Sequence, residues 1–184
     1  MSPADRDIIF DEGRRIIFDM LDVPQPIIAA IEGAAVGLGA TIALLCDVRI
    51  AAADAKVGDP HVKVGVVAGA GGAVIWPWLV GAGRAKRYLM TGDLIAAPDA
   101  RAFGLIDELA VAGQALADAQ RFAARLVALP RGAVRGTKAS VNKLLREAAN
   151  LVLDTSLALE KETMGAEAHR HLVETFLQQS GSAR

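Results

Sequence analysis

The chain has 184 residues, of which 53% are hydrophobic, and a formal net charge of −1. That is enough apolar material for one core, and the charge carries no bias toward nucleic acid or an anionic membrane. The lone cysteine, Cys46, cannot form an internal disulfide and sits in an apolar run, which fits a packing role in a reducing cytoplasm rather than a nucleophile.

The first residues, Met1 to Asp7, place acids before any apolar run and do not read as a signal peptide. Ser2-Pro3-Ala4-Asp5 is a helix start, with a hydroxyl cap, proline at the first helical position and an acid near the positive end. Ile8, Ile9, Ile16, Ile17, Met20 and Leu21 recur at helical spacing and predict one buried face. Asp22 to Pro26 ends that helix. Ile27 to Ile31 is a short β-branched run bounded by Pro26 and Gly33, as in a buried strand. Gly33, Gly37 and Gly39 then allow tight turns, and Ile42 to Cys46 continues as a helix packed back on the strand. A glycine turn that opens a helix leaves backbone N–H groups aimed at one point. Such a point can stabilise an anion that exists only during a reaction.

Asp47 to Ala52 is the next predicted strand, followed by a turn at Ala53-Asp54-Ala55. Lys56 to Gly65 is expected as a strand end and an irregular loop around Pro60. A helix should open at Gly71-Gly72, run to about Leu79, break at Gly81 and Gly83, and resume over Arg84 to Met90. Val64 to Gly83 is uncharged, but its six glycines and Pro77 make a lipid-facing helix a poor reading. Pro98-Asp99 opens a short helix ended by Gly104, and Leu105 to Leu109 is the last predicted strand. From Gln114 the pattern turns helical: Leu116, Ala119, Phe122, Ala123, Leu126 and Leu129 form a stripe stopped by Pro130. Val134 to Ala148 and Leu151 to Gln178 follow as helix. Residues 1–112 thus read as an α/β core and 113–184 as a helical region.

Ile28-Ala29-Ala30-Ile31-Glu32-Gly33-Ala34-Ala35-Val36-Gly37-Leu38-Gly39, Leu45-Cys46-Asp47, Gly58-Asp59-Pro60-His61 and Gly69-Ala70-Gly71-Gly72 together resemble the enoyl-CoA hydratase/isomerase (crotonase) superfamily. The likeness continues through Gly81 to Arg84, Leu89 to Asp93 and Ala102 to Asp107. It implies a spiral of ββα units followed by C-terminal helices that build trimers or hexamers. It also implies an acyl-CoA thioester substrate and no cofactor beyond the coenzyme A that the substrate carries; the absence of a nucleic-acid or membrane partner is expected from the charge and the glycine-rich 64–83 run instead. The enolate of that substrate would be held by backbone N–H groups, one of them from Leu38 in the turn Gly37-Leu38-Gly39. Leucine stands there where glycine is usual.

The resemblance gives two glutamates to the hydratase reaction, and here Thr41 and His61 occupy their positions. Thr41 can orient a water, and His61 can act as a base, since an unperturbed imidazole titrates at about 6.5. Asp59 could orient the ring, while Gly69 and Trp76 belong to segments expected near the substrate. The histidine also resembles a branch that hydrolyses carbon–carbon bonds in β-diketones, where an aspartate follows in a Gly-Asp-Gly segment. Here that segment reads Gly69-Ala70-Gly71. Nothing in Met1 to Asp22 resembles the earlier ββα block of the family, which gives the other N–H donor. Two readings follow: an enzyme whose second donor lies outside these residues, or a shortened homologue that binds acyl-CoA or partner subunits without turnover. Gly37-Leu38-Gly39 is not a dinucleotide fingerprint, because Ile42 replaces the third glycine. No spacing of histidine, cysteine and acid suggests a metal. His169 and His171, two apart on a helix, are expected at the surface.

Overall fold

The protein is described from a computed structural model, over residues 3–181. The Ser2 cap lies outside the described residues. The first helix, α1 (Pro3–Asp22), is followed by strands β1 (Ile28–Ile31) and β2 (Ala34–Val36) and helix α2 (Leu38–Leu45). Strands β3 (Val48–Ala52) and β4 (Lys56–Gly58) lead into a 3₁₀ turn (His61–Val64) and helix α3 (Gly72–Thr91). Next come β5 (Ile95–Ala96), α4 (Ala97–Phe103) and β6 (Glu108–Ala110). Three helices end the chain: α5 (Ala115–Val127), α6 (Arg131–Gly165) and α7 (Glu167–Gly181).

Successive strands feed two sheets. One is all parallel in the order β1-β3-β6, with Ala30 opposite Ile50 and Ala51 opposite Leu109. The other has the order β2-β4-β5, with β2 parallel to β4 and β5 antiparallel to it. Two strands that enter different sheets, followed by a helix, make a ββα unit. The first unit ends in α2 and the second in α3, so the equivalent ends of both units lie side by side. That neighbourhood builds the site.

The main core gathers Ile17, Leu44, Val57, Ile75, Trp76, Leu105 and Ile106 with Leu145, Ala149, Leu153 and Leu157 of α6. The C-terminal helical region therefore contributes to the same core as the strands, with α6 packed along α1 and α3. Burying these side chains is worth roughly 1.5–3 kcal/mol for each large aliphatic one. Cys46 is buried and its thiol donates to the Ile42 carbonyl at 3.3 Å. Burial foremost, with the Asp47 charge, pushes the thiol up to about 11, as a packing cysteine requires.

Several expected boundaries move. On α1, Ile17 and Leu21 are buried as expected, but Ile8 and Ile9 are 57% and 48% exposed, and Phe10 turns inward instead. The last strand begins at Glu108; Leu105 and Ile106 are a buried connection whose N–H groups both reach the Ala100 carbonyl. Helix α2 starts at Leu38, four residues before the apolar run. The α3 break falls at Gly81 alone, where φ is 75° and ψ 156°, and Gly83 remains helical. The long C-terminal helix does not pause near residue 150 but runs unbroken to Gly165. Apolar spacing carries through Ala149 and Leu153, so nothing there interrupts the buried stripe.

Candidate functional site

The turn before α2 fixes the centre of the site. Gly37 caps the helix with φ 56° and ψ −127°, a conformation that a side chain would strain. Its N–H donates to the Gly58 carbonyl at 3.0 Å, tying the turn to the end of β4. Leu38 is the first residue of α2, so its N–H has no acceptor one turn back within the helix and lies at the positive end of the helix dipole. The side chains of Leu38 and Val36 are exposed on either side of the turn.

The residues that follow β4 bring the chemistry to that turn. Asp59 is buried and His61 opens the 3₁₀ turn. Asp59 Oδ1 accepts from the His61 backbone N–H at 3.3 Å and, through a short hydrogen bond, from the ring Nδ1. The imidazole lies over Gly37: a methyl group on that glycine would sit 3.2 Å from His61 Cε1. Asp59 Oδ2 in turn faces Gly72 at the start of α3, where a methyl group would come within 2.6 Å of it. A carboxylate beside a helix N-terminus is electrostatically favoured. The hydrogen bond to Asp59 raises the His61 pKa above its ordinary value against the effect of burial, and the Asp59 and Glu160 charges add to the rise.

Glu160 is the residue of this neighbourhood that the sequence does not disclose. Ser156, Glu160 and Thr163 share one face of α6, spaced by four and three residues. All three meet the loop before α3. The Ser156 hydroxyl donates to the Gly69 carbonyl at 2.9 Å, and Thr163 Oγ1 accepts from the Val67 N–H at 3.1 Å. Glu160 sits between them, held by the Ala70 N–H, with Oε1 3.9 Å from His61 Nε2 and Oε2 buried without a partner. Burial pushes its carboxyl up to about 7; the His61 ring works against that rise and the Asp59 charge adds to it.

Beside the imidazole an opening of about 500 Å³ is lined by Val36, Gly37, Pro60, Val64, Leu172 and Thr175, among others. Its far wall is α7. His169 Nδ1–H donates to the Val64 carbonyl at 2.6 Å, so this histidine is half-buried and pins α7 to the 3₁₀ turn, whereas His171 is exposed. The expectation that both are surface residues holds for His171 only.

The structure thus brings together Gly37, Leu38, Asp59 and His61. Gly39 is exposed on the first turn of α2. Thr41 is buried, and its methyl group lies against Gly71, so it does not line the opening. Gly69 lies behind the histidine, where its missing side chain lets α6 approach. Trp76, expected near the substrate, is instead wholly buried in the core and in ring contact with Tyr88. Its position on the inner face of α3 decides this. Among the described residues no cluster of histidine, cysteine and acid could hold a metal ion, and no helix is long and apolar enough to cross a membrane.

The profile of the family described as enoyl-CoA hydratase/isomerase matches residues 4–180 of the chain. The chain belongs to that family. It is 35% identical over 150 residues to a crotonyl-CoA hydratase of Syntrophomonas wolfei, covering 81% of this chain and 56% of that protein. It is 34% identical over 161 residues to a short-chain-enoyl-CoA hydratase of Clostridium acetobutylicum, covering 84% and 60%. Among solved structures, an enoyl-CoA hydratase/isomerase from Mycobacterium paratuberculosis superposes with a TM-score of 0.90 at 35% identity, over 95% of this chain and 70% of that one. The ββα spiral is therefore the crotonase fold, with helices α5 to α7 as its C-terminal region. The chain spans little more than half the length of the curated relatives it matches.

Proposed function

We propose that the protein acts on an acyl-CoA thioester by hydratase- or isomerase-type chemistry. The Leu38 N–H would stabilise the enolate oxygen, and His61 would move the proton. The observation that carries this reading is the Asp59–His61 pair lying against Gly37, the glycine of the anion-stabilising turn. Donation from Nδ1 to Asp59 fixes the ring tautomer and leaves Nε2 with the lone pair that a base needs. In a hydration, water would add to the β-carbon as Nε2 takes its proton, and the α-carbon would regain a proton from the imidazolium. The acyl group would enter through the opening between the 3₁₀ turn and α7. Copies of the chain would associate through residues 114–178 as trimers or hexamers.

The test is hydration of a four-carbon enoyl-CoA, followed by loss of the conjugated thioester's absorbance, beside His61→Ala. General acid–base groups contribute ~10²–10⁴ in rate, so the substitution should lower turnover at least ~10-fold. A folded wild-type chain with no turnover would favour the shortened, non-catalytic homologue that only binds. A second reading, hydrolysis of a β-diketone carbon–carbon bond, has one observation in its favour. Ala70 lacks the acid that such chemistry uses, but Glu160 holds a carboxyl on the Ala70 N–H. Release of a carboxylic acid from a cyclic β-diketone would favour that reading.

A further inference from the structure

We propose that Glu160 is a positioning residue of this site: facing the second nitrogen of His61 from α6, it sets the charge and the orientation of the imidazole. The proposal rests on the reading of His61 as the group that moves the proton.

Geometry carries it. The ring is held between two acids from distant parts of the chain, Asp59 on Nδ1 and Glu160 Oε1 3.9 Å from Nε2. Both carboxyls are buried, at 1% and 3% exposure. Among the described residues, His61 is the only ion-pair partner of Glu160. A buried carboxyl without a cation keeps its proton or holds a neighbour protonated. Here the neighbour is the imidazole, so one labile proton is shared across the gap. With Glu160 ionised the ring is the imidazolium; with the ring neutral, Glu160 holds the proton as a carboxylic acid. At 3.9 Å the coupling runs through charge rather than a direct hydrogen bond. The other charged groups near the ring are few. Lys63 on the 3₁₀ turn is 3.5 Å from Asp93, α7 offers His169 held on the Val64 carbonyl, and α2 carries no charge.

A purely mechanical role does not account for the acid. Ser156 and Thr163 already brace the 66–71 loop with neutral hydroxyls. An acceptor for the Ala70 N–H requires one oxygen, whereas Glu160 leaves its other oxygen buried and unpartnered. What the carboxyl adds to a neutral acceptor is its charge, and the charge faces His61.

Glu160→Gln separates the two roles, because the amide keeps the volume and the acceptor for Ala70 and removes only the charge. The readout is the pH titration of the His61 ring by NMR, which needs no turnover. The His61 midpoint should fall by ~1 pH unit or more in the variant, as expected when a unit charge about 4 Å away is lost. The acid limb of the enoyl-CoA turnover profile should move the same way. A His61 midpoint within ~0.3 pH unit of wild type would overturn the assignment, whatever happens to turnover. If Glu160→Gln does not fold, His61→Ala reads the contact from the other side. The Glu160 carboxyl carbon should then titrate at a higher pH, and an unchanged titration would overturn the proposal. Absence of turnover in wild type with the His61 shift intact would sink the functional reading and leave this contact standing.

Discussion

His61 and Glu160 both hold their protons more tightly in the folded protein than in the unfolded chain, and this ties stability to pH. For Glu160 the window runs from the usual carboxyl value of 4.5 to about 7. Across it the folded state binds more protons than the unfolded one, so the pair's contribution to stability is present at low pH and is lost as pH rises. The raised His61 value has the same sign, its contribution being present below the ordinary imidazole value and lost above it. Glu160→Gln should therefore gain on wild type as pH rises from 4.5 to 7, in urea midpoints measured at each pH. A constant difference would contradict the raised proton affinity of the buried Glu160 carboxyl. Gly37→Ala tests the turn itself: the positive φ and the 3.2 Å approach to His61 should cost ~1–3 kcal/mol and displace the ring resonances. Gly37, Asp59 and His61 are legible in the sequence because two short motifs hold them. Glu160 is 99 positions beyond His61, and no local motif joins them. The one available signal is an acid on the buried stripe Ala149, Leu153, Ser156, Leu157, Glu160, where the core-facing side of an amphipathic helix would ordinarily present another apolar side chain.

Helix α6 acts on the site as an element, through the 66–71 loop that it braces. Gly69 is where the two touch: a methyl group there would lie 2.3 Å from the Ser156 carbonyl and 2.6 Å from Glu160 Cβ. Backbone cannot give way cheaply, so Gly69→Ala should force the loop off α6 and destabilise by ~1–3 kcal/mol, as overpacking does. At Gly33 nothing lies within 4 Å, and Gly33→Ala should change thermal stability far less. Equal effects at both glycines would show that the contact with α6 does not hold the loop. Elements with strong periodicity or glycine punctuation were readable: α1, β1, β3, the kink at Gly81 and the stop of α4 at Gly104. Strands β2 and β5, with three and two residues, were not. Their pairing comes from β4, which both flank, and a run that short has no alternation to detect. The start of α2 is hidden for a related reason: Leu38 and Gly39 read as turn, while the helix is already running at Leu38.

At the scale of the whole molecule, the apolar surface left on the C-terminal helices calls for a partner. Val127 is 84% exposed and Leu151 82%, and Leu116, Leu129, Val141 and Leu144 are each more than half exposed. An apolar groove joins part of this surface to the core, between Pro26 and Ile28 on one side and Ala123, Leu126 and Val134 on the other. Isolated exposed leucines are ordinary, but a run of them along α5 and α6 is the composition of a buried face. A stable interface buries ~800 Å² on each partner, and helices of 13 and 35 residues offer surface on that scale. We therefore expect light scattering at micromolar concentration to give a mass of three or six chains. Val127→Lys with Leu151→Lys should reduce it toward one chain while leaving the helical circular dichroism intact, because neither side chain is in the core. A wild-type mass of one chain would show that this face stays open. Release of single chains that still turn over an enoyl-CoA would separate assembly from chemistry. Leu38, Asp59, His61 and the α7 wall of the opening all come from one chain, so turnover by released single chains would show that no N–H donor is drawn from a neighbouring copy.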